Sequence, residues 1–177
     1  MNRVARFEKV SYEQFKKSVL DIVNMFDALD EEFVDAKIRA MYDNIKLPKR
    51  ATKGSMGYDF FSPINCAIRP NGNYKIPTGV RCVIDEGWGL QVYPRSGMGF
   101  KYGVKLANTV GIIDADYAGS DNEGHIFIKL VNDSSMAKPI TIASGDAFCQ
   151  GILMPYGITY DDEATEIRNG GFGSTGR

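Results

Sequence analysis

The residues with the most chemistry to offer lie in PRSGMGFKYGVKLANTVGIIDADYAG, residues 94–119. Arg95 brings a planar fork of donors suited to phosphate oxygens. Ser96 adds a hydroxyl, and Gly97 a backbone that an anion can approach closely because no Cβ intervenes. Asn108 and Thr109 mark a hairpin-like segment. Asp114 and Asp116 sit two apart, so in extended backbone they share a face, where carboxylates can bind metal or act as a general base. The ring of Tyr117 follows directly. A second group, GGFGSTG at residues 170–176, sets Phe172 among glycines with Gly173, Ser174 and Thr175 beside it. A ring so flanked can stack on a base while nearby N–H groups and hydroxyls hold phosphates. Together these residue types describe a site for a small, triphosphorylated nucleoside.

Each segment also has an ordinary reading. PRSG alone is a turn ending a strand, DAD a polar loop, and a Gly/Ser tail a chain terminus. The GxxxxGK[ST] pattern is absent, which excludes Walker-type ATP binding. His125 is the single histidine; its polar neighbourhood reads as solvated, and no Ser-His-Asp arrangement can be built on it.

Composition narrows the field further. The chain has 177 residues, 44% hydrophobic and 24% charged, enough for one well-packed core. Its net charge of −1 gives no global footprint for nucleic acid or an anionic membrane, so phosphate binding must rest on local groups. Cys66, Cys82 and Cys149 are odd in number and outside any CxxC pattern, which argues against a disulfide framework or zinc site and for a reducing compartment. No charged segment precedes an apolar run at the N-terminus, and no stretch approaches the ~20 apolar residues of a membrane span. The expected location is cytoplasmic.

The elements that must position the site divide the chain in two. Residues 2–9 form a weakly alternating strand. Ser11 with Gln14 reads as a capping box opening a helix whose stripe is Tyr12, Phe15, Val19, Ile22, Phe26 and Leu29. Asp30 caps a second helix with the stripe Val34, Ile38, Met41 and Ile45. Two readings stay open for this helical pair at 11–45: a cover for the domain's own surface, or a docking face for another chain. After Pro48 the helical period gives way to short β-branched and aromatic runs at 57–61, 74–76, 80–84, 90–93, 104–106, 126–131, 140–142 and 147–154. Their spacing predicts an antiparallel all-β sandwich or barrel. Lys46, Lys49, Arg50 and Lys53 form a small basic cluster in a solvated approach loop.

Five segments in series resemble the motifs of the trimeric dUTPase family: GYDFFS (57–62), PRSG (94–97), GIIDADYAG (111–119), GDAFCQGIL (145–153) and RNGGFGSTG (168–176). The resemblance covers residues 48–176. It implies a jelly-roll-like, distorted β-barrel in a single domain 1–177, with 11–45 as a helical insertion and 168–177 as a glycine-rich tail that closes the site. It also implies a homotrimer with shared active sites that hydrolyses dUTP to dUMP and pyrophosphate, using Mg²⁺ bound mainly through the triphosphate. Carried over, Asp114 is the general base. Arg95, Ser96 and Gly97 hold phosphates, with Gln150 and Arg168 near them. Asn108 and the backbone of Gly111, Ile112 and Ile113 read uracil, helped by the strand near Phe127. Tyr117 packs on the deoxyribose. Phe172 stacks on uracil while Gly173, Ser174 and Thr175 close over the γ-phosphate. No residue ligates metal directly; Asp59 touches it through water.

The chain departs from the family pattern at Ala147, where an arginine is common, and at Arg168, one residue nearer the glycine pair than usual. The loop 120–124 is a few residues longer than expected, and the helical pair is extra. dCTP deaminases share the fold but place a glutamate where FIKL has Lys129, which argues against deamination. A binding module that contacts a partner protein through residues 11–45 is the remaining alternative, and it is compatible with catalysis.

Overall fold

The structure, a computed structural model, describes residues 2–22, 30–133 and 138–166. Twelve strands dominate it: β1 (Ala5–Lys9), β2 (Lys49–Arg50), β3 (Tyr58–Phe61), β4 (Cys66–Ile68), β5 (Asn73–Pro77), β6 (Val80–Ile84), β7 (Trp88–Pro94), β8 (Val104–Leu106), β9 (Gly111–Ile113), β10 (Phe127–Asn132), β11 (Ile140–Ile142) and β12 (Ala147–Pro155). Three helices join them, α1 (Tyr12–Leu20), α2 (Glu31–Asp43) and α3 (Ser96–Tyr102), with a 3-10 helix at Ala115–Gly119. Every strand pair is antiparallel. The sheets run β2-β3-β12-β7-β9, β5-β10-β8, β1-β6 and β11-β4. They wrap one cluster of buried apolar side chains as a distorted jelly roll without closing into a barrel.

The alternation expected of half-buried strands is present where it matters. In β6, Val80, Cys82 and Ile84 face the core while Arg81 and Val83 are half-buried. In β12 a register shift between Ala147 and Cys149 marks a bulge, and both Phe148 and Cys149 are fully buried. Strands β2, β4 and β9 lie outside the runs expected from sequence. Each is two or three residues long, too short for a period to show.

The helical pair belongs to the core. Phe15, Val19 and Ile38 are completely buried, and Val34 and Ile45 nearly so. Gly79 explains the fit: a Cβ there would stand 2.3 Å from Ile45 Cδ1 and 3.1 Å from the Phe15 ring, and its φ of +70° suits glycine. The described part of the apolar stripe is thus spent largely on the chain's own interior. Helix α1 ends at Leu20, not at residue 29, and Phe26 and Leu29 lie outside the described residues. Tyr12 and Lys16 hold α2 through Asp35, at 2.6 Å each. The capping box is half formed. Ser11 Oγ accepts from the Gln14 N–H at 3.1 Å, but Gln14 Nε2 turns to Ser18 Oγ. Glu123 takes the vacated role, accepting from the Ser11 N–H at 2.7 Å.

Candidate active site

Strand β7 is the spine of the site, because β9 pairs on one of its edges and β12 on the other. Leu90, Gln91 and Val92 face Ile113, Ile112 and Gly111, while Pro94, Tyr93 and Val92 face Cys149, Gln150 and Gly151. The third and fourth motifs are therefore registered by the same seven residues.

On the β9 side the hairpin-like turn from β8 to β9, strands of two different sheets, opens onto a cavity of about 580 Å³. Asn108, Gly111, Ile112, Ile113, Tyr117 and Phe127 all line it. The turn at its rim is tight: the Val110 N–H donates to the Asn108 carbonyl at 2.7 Å, and Thr109 sits at φ +66°. A β-branched residue in that region is strained, and such strain collects at functional sites. Strand β9 is the last strand of its sheet, so alternate N–H and C=O groups point away from β7. That array suits the edge of a planar base. Tyr117 is buried, its hydroxyl donating to the His125 carbonyl at 2.9 Å and accepting from Asn122 Nδ2 at 2.8 Å.

On the β12 side, cavities of about 410 and 330 Å³ share Arg95, Ser96 and Gln150 in their walls. Arg95 Nε lies 3.1 Å from Asp59 Oδ1, and its Nη1 donates to the Ala147 carbonyl at 3.1 Å. The planar fork is thereby held across two elements. Gln150 Nε2 donates to the Pro94 carbonyl at 3.3 Å, and Gly57 leaves room for it, since a Cβ there would meet Gln150 Oε1 at 2.5 Å. Residues 94–97 do more than end a strand: Arg95 caps α3, and Ser96 and Gly97 are exposed on its first turn.

Two readings from sequence change. Asp114 and Asp116 do not share a face, because extended backbone stops at Asp114 (φ −80°, ψ 160°) and a 3-10 helix begins at Ala115. At about 120° per residue, positions two apart diverge on such a helix. Asp114 is half-buried and Asp116 exposed. His125 is fully buried instead of solvated: its Nε2 accepts from the Gly79 N–H at 2.8 Å and its Nδ1 lies 3.0 Å from Ser18 Oγ. Burial, helped by the charge of Lys75, pushes its pKa from 6.5 down to about 3. Asp59 is ion-paired with Arg95. Arg168, Phe172, Gly173, Ser174 and Thr175 lie outside the described residues.

Sequence alone missed Lys75 as a cavity residue. It stands directly opposite Lys129 in the β5–β10 ladder, and both line the hairpin cavity. Lys75 Nζ lies 4.3 Å from the centre of the Phe127 ring, a cation–π contact. No local signal marks Lys75; only the pairing of strands some fifty residues apart brings it to the site.

The family model for dUTPase matches residues 43–176. The chain belongs to the dUTPase family. Among curated relatives it is 39% identical to the deoxyuridine 5'-triphosphate nucleotidohydrolase of Lactococcus lactis, over 75% of this chain and 89% of that one. It is likewise 39% identical to that of Finegoldia magna, over 75% and 93%. The crystal structure of dUTPase from Streptococcus mutans superposes with a TM-score of 0.62 at 29% identity, covering 86% of this chain and 97% of that one. This dUTPase hydrolyses dUTP to dUMP. In this dUTPase the backbone carbonyl of Ala147 anchors Arg95.

Proposed function

We propose that the two sets of cavities are the two ends of one composite site, the hairpin cavity of one subunit holding deoxyuridine and the Arg95 side of a neighbour holding the triphosphate. The observation that carries this is their separation. They share no lining residue and lie on opposite edges of β7, so a single subunit offers the halves on different edges. A homotrimer with shared sites joins them. Asn108 and the outward backbone groups of β9 read uracil, which leaves unpaired polar groups when a wrong base binds. Tyr117 packs on the sugar and Phe127 on the far side of the ring. Arg95, Ser96, Gly97, Gln150 and Arg168 hold phosphate oxygens, and Phe172, Gly173, Ser174 and Thr175 close the site.

Asp114 takes a proton from water, whose oxygen then bonds to the α-phosphorus while the bond to the bridging oxygen breaks and pyrophosphate leaves with the electron pair. Its position immediately after β9 supports this role, since that puts it at the end of the base-reading strand. Mg²⁺, a hard cation, would be held mainly by the triphosphate, with the Asp59 carboxylate reaching it through water, and would supply neutralisation of developing charge. The dUTPase of phage phi11 of S. aureus coordinates a structural Mg(II) ion. The product supplies dUMP and the reaction lowers dUTP. Three free cysteines suit a cytoplasmic setting. No helix among the described residues is long and apolar enough to cross a membrane.

The test pairs Asp114→Asn with Asp116→Asn in single-turnover hydrolysis of dUTP. Asp114→Asn is expected to lose about 10²–10⁴-fold in rate while affinity for a non-hydrolysable dUTP analogue, by calorimetry, changes little. Asp116→Asn should be mild. The reverse ranking would move the base to Asp116.

A further inference from the structure

Helix α1 lies before residue 43, where the family match begins, yet two tethers bind it to the loop behind Tyr117. The first is Glu123. Its carboxylate accepts from the Ser11 N–H at 2.7 Å and from the Ser11 hydroxyl at 2.5 Å, a negative charge set at a helix N-terminus. These bonds hold Glu123 at φ +58°, a conformation that only glycine adopts freely, next to Gly124 at φ +69°.

The second tether is His125. Because Nε2 accepts from the Gly79 N–H, the ring proton sits on Nδ1 and is donated to Ser18 Oγ. Ser18 donates in turn to the Gln14 carbonyl at 2.9 Å, which anchors the pair within α1. The loop then passes this constraint to the cavity. The His125 carbonyl and Asn122 Nδ2 together fix the Tyr117 hydroxyl, and the His125 ring lies 4.3 Å, centre to centre, from the ring of Phe127. Tyr117 and Phe127 both line the hairpin cavity.

We propose that α1 is a positioning element for the sugar side of the nucleoside cavity, with Ser18 and Glu123 as positioning residues that act on Tyr117 through His125 and Asn122. This rests on the reading of that cavity as the deoxyuridine site. A ring excludes a 2′-hydroxyl only while it is held within a fraction of an ångström, and a loosened ring yields to the larger sugar. The effect therefore falls on selection of dUTP over UTP and not on the attack of water.

The experiment compares Ser18→Ala, Ser18→Thr and Glu123→Gly with wild type, by thermal unfolding and by kcat and KM for dUTP and UTP well below each melting temperature. Ser18→Ala should lower the dUTP-to-UTP ratio of kcat/KM by about 10- to 100-fold. It should do so through a raised kcat/KM for UTP, with kcat for dUTP changed by less than about twofold. Ser18→Thr, which keeps the hydroxyl, should restore the ratio. Glu123→Gly relieves the positive φ while removing the tether, so the ratio should fall without a lower melting temperature. An unchanged ratio in Glu123→Gly overturns the proposal, and that variant decides alone should Ser18→Ala fail to fold. A wild type that does not discriminate between the two nucleotides refutes the cavity assignment instead.

Discussion

Acidification should expose His125 as the weak point of the core. Both ring nitrogens are committed in the native state, one as acceptor from Gly79 and one as donor to Ser18, and the residue is fully buried. Burial of the charge, with Lys75 nearby, is why the pKa falls from 6.5 to about 3, and protonation would also set a second N–H against the Gly79 N–H. The sign follows from proton counting. Between those values the unfolded chain binds a proton that the native state refuses, so stability is full above 6.5 and is lost as pH falls toward 3. Each pH unit well inside the window costs about 1.4 kcal/mol, and by about pH 5 the loss is roughly 2 kcal/mol. Glu8, held low by hydrogen bonds from Arg6 and Arg81, loses stabilisation in the same direction, as does Asp35, held low by hydrogen bonds from Lys16 and Tyr12. A variant removes that background: His125→Gln should be less stable than wild type near pH 7.5, and the gap should shrink by roughly 2 kcal/mol near pH 5. Urea unfolding at fixed protein concentration, at both pH values, reads the gap directly. A gap independent of pH would refute the buried, neutral imidazole.

Two further outcomes follow from the packing. At Gly124 an added Cβ would stand 2.5 Å from Ala118 Cα and 2.8 Å from the Tyr117 carbonyl, at φ +69°. Gly124→Ala should therefore cost about 2–4 kcal/mol in urea unfolding, and a loss below about 1 kcal/mol would show that the loop relaxes freely. Arg95→Lys keeps the charge but cannot reach Asp59 and the Ala147 carbonyl as a planar fork, so kcat/KM for dUTP should fall about 10- to 100-fold. Retained activity would mean that charge alone, not the fork, does the holding.

Much of this dUTPase was legible in its sequence because its motifs are local. A Gly-bounded strand, a PRSG turn and a DAD segment each encode their backbone within a few residues, and their order suffices for the family. Strands β6, β8 and β11 are bounded as the sequence pattern predicts, since alternating β-branched residues carry the period themselves. The helical pair was legible as amphipathic, but its role was not, because a stripe does not state what it packs against.

Tertiary structure decided what depended on distant partners. His125 looked solvated among polar neighbours, but its environment is Ser18, 107 residues away, and Gly79, 46 away. Asp114 and Asp116 share a face only if the strand continues, and the chain's turn into a 3-10 helix after Asp114 ended it. Lys75 joined Lys129 at the cavity through a ladder register that no local pattern contains. Propensity and motif act over a few residues, whereas burial and cross-strand register are set by whichever surfaces the whole chain brings together. The sequence therefore offered candidates for the site, and the fold determined which of the described ones lie together and what holds them in place.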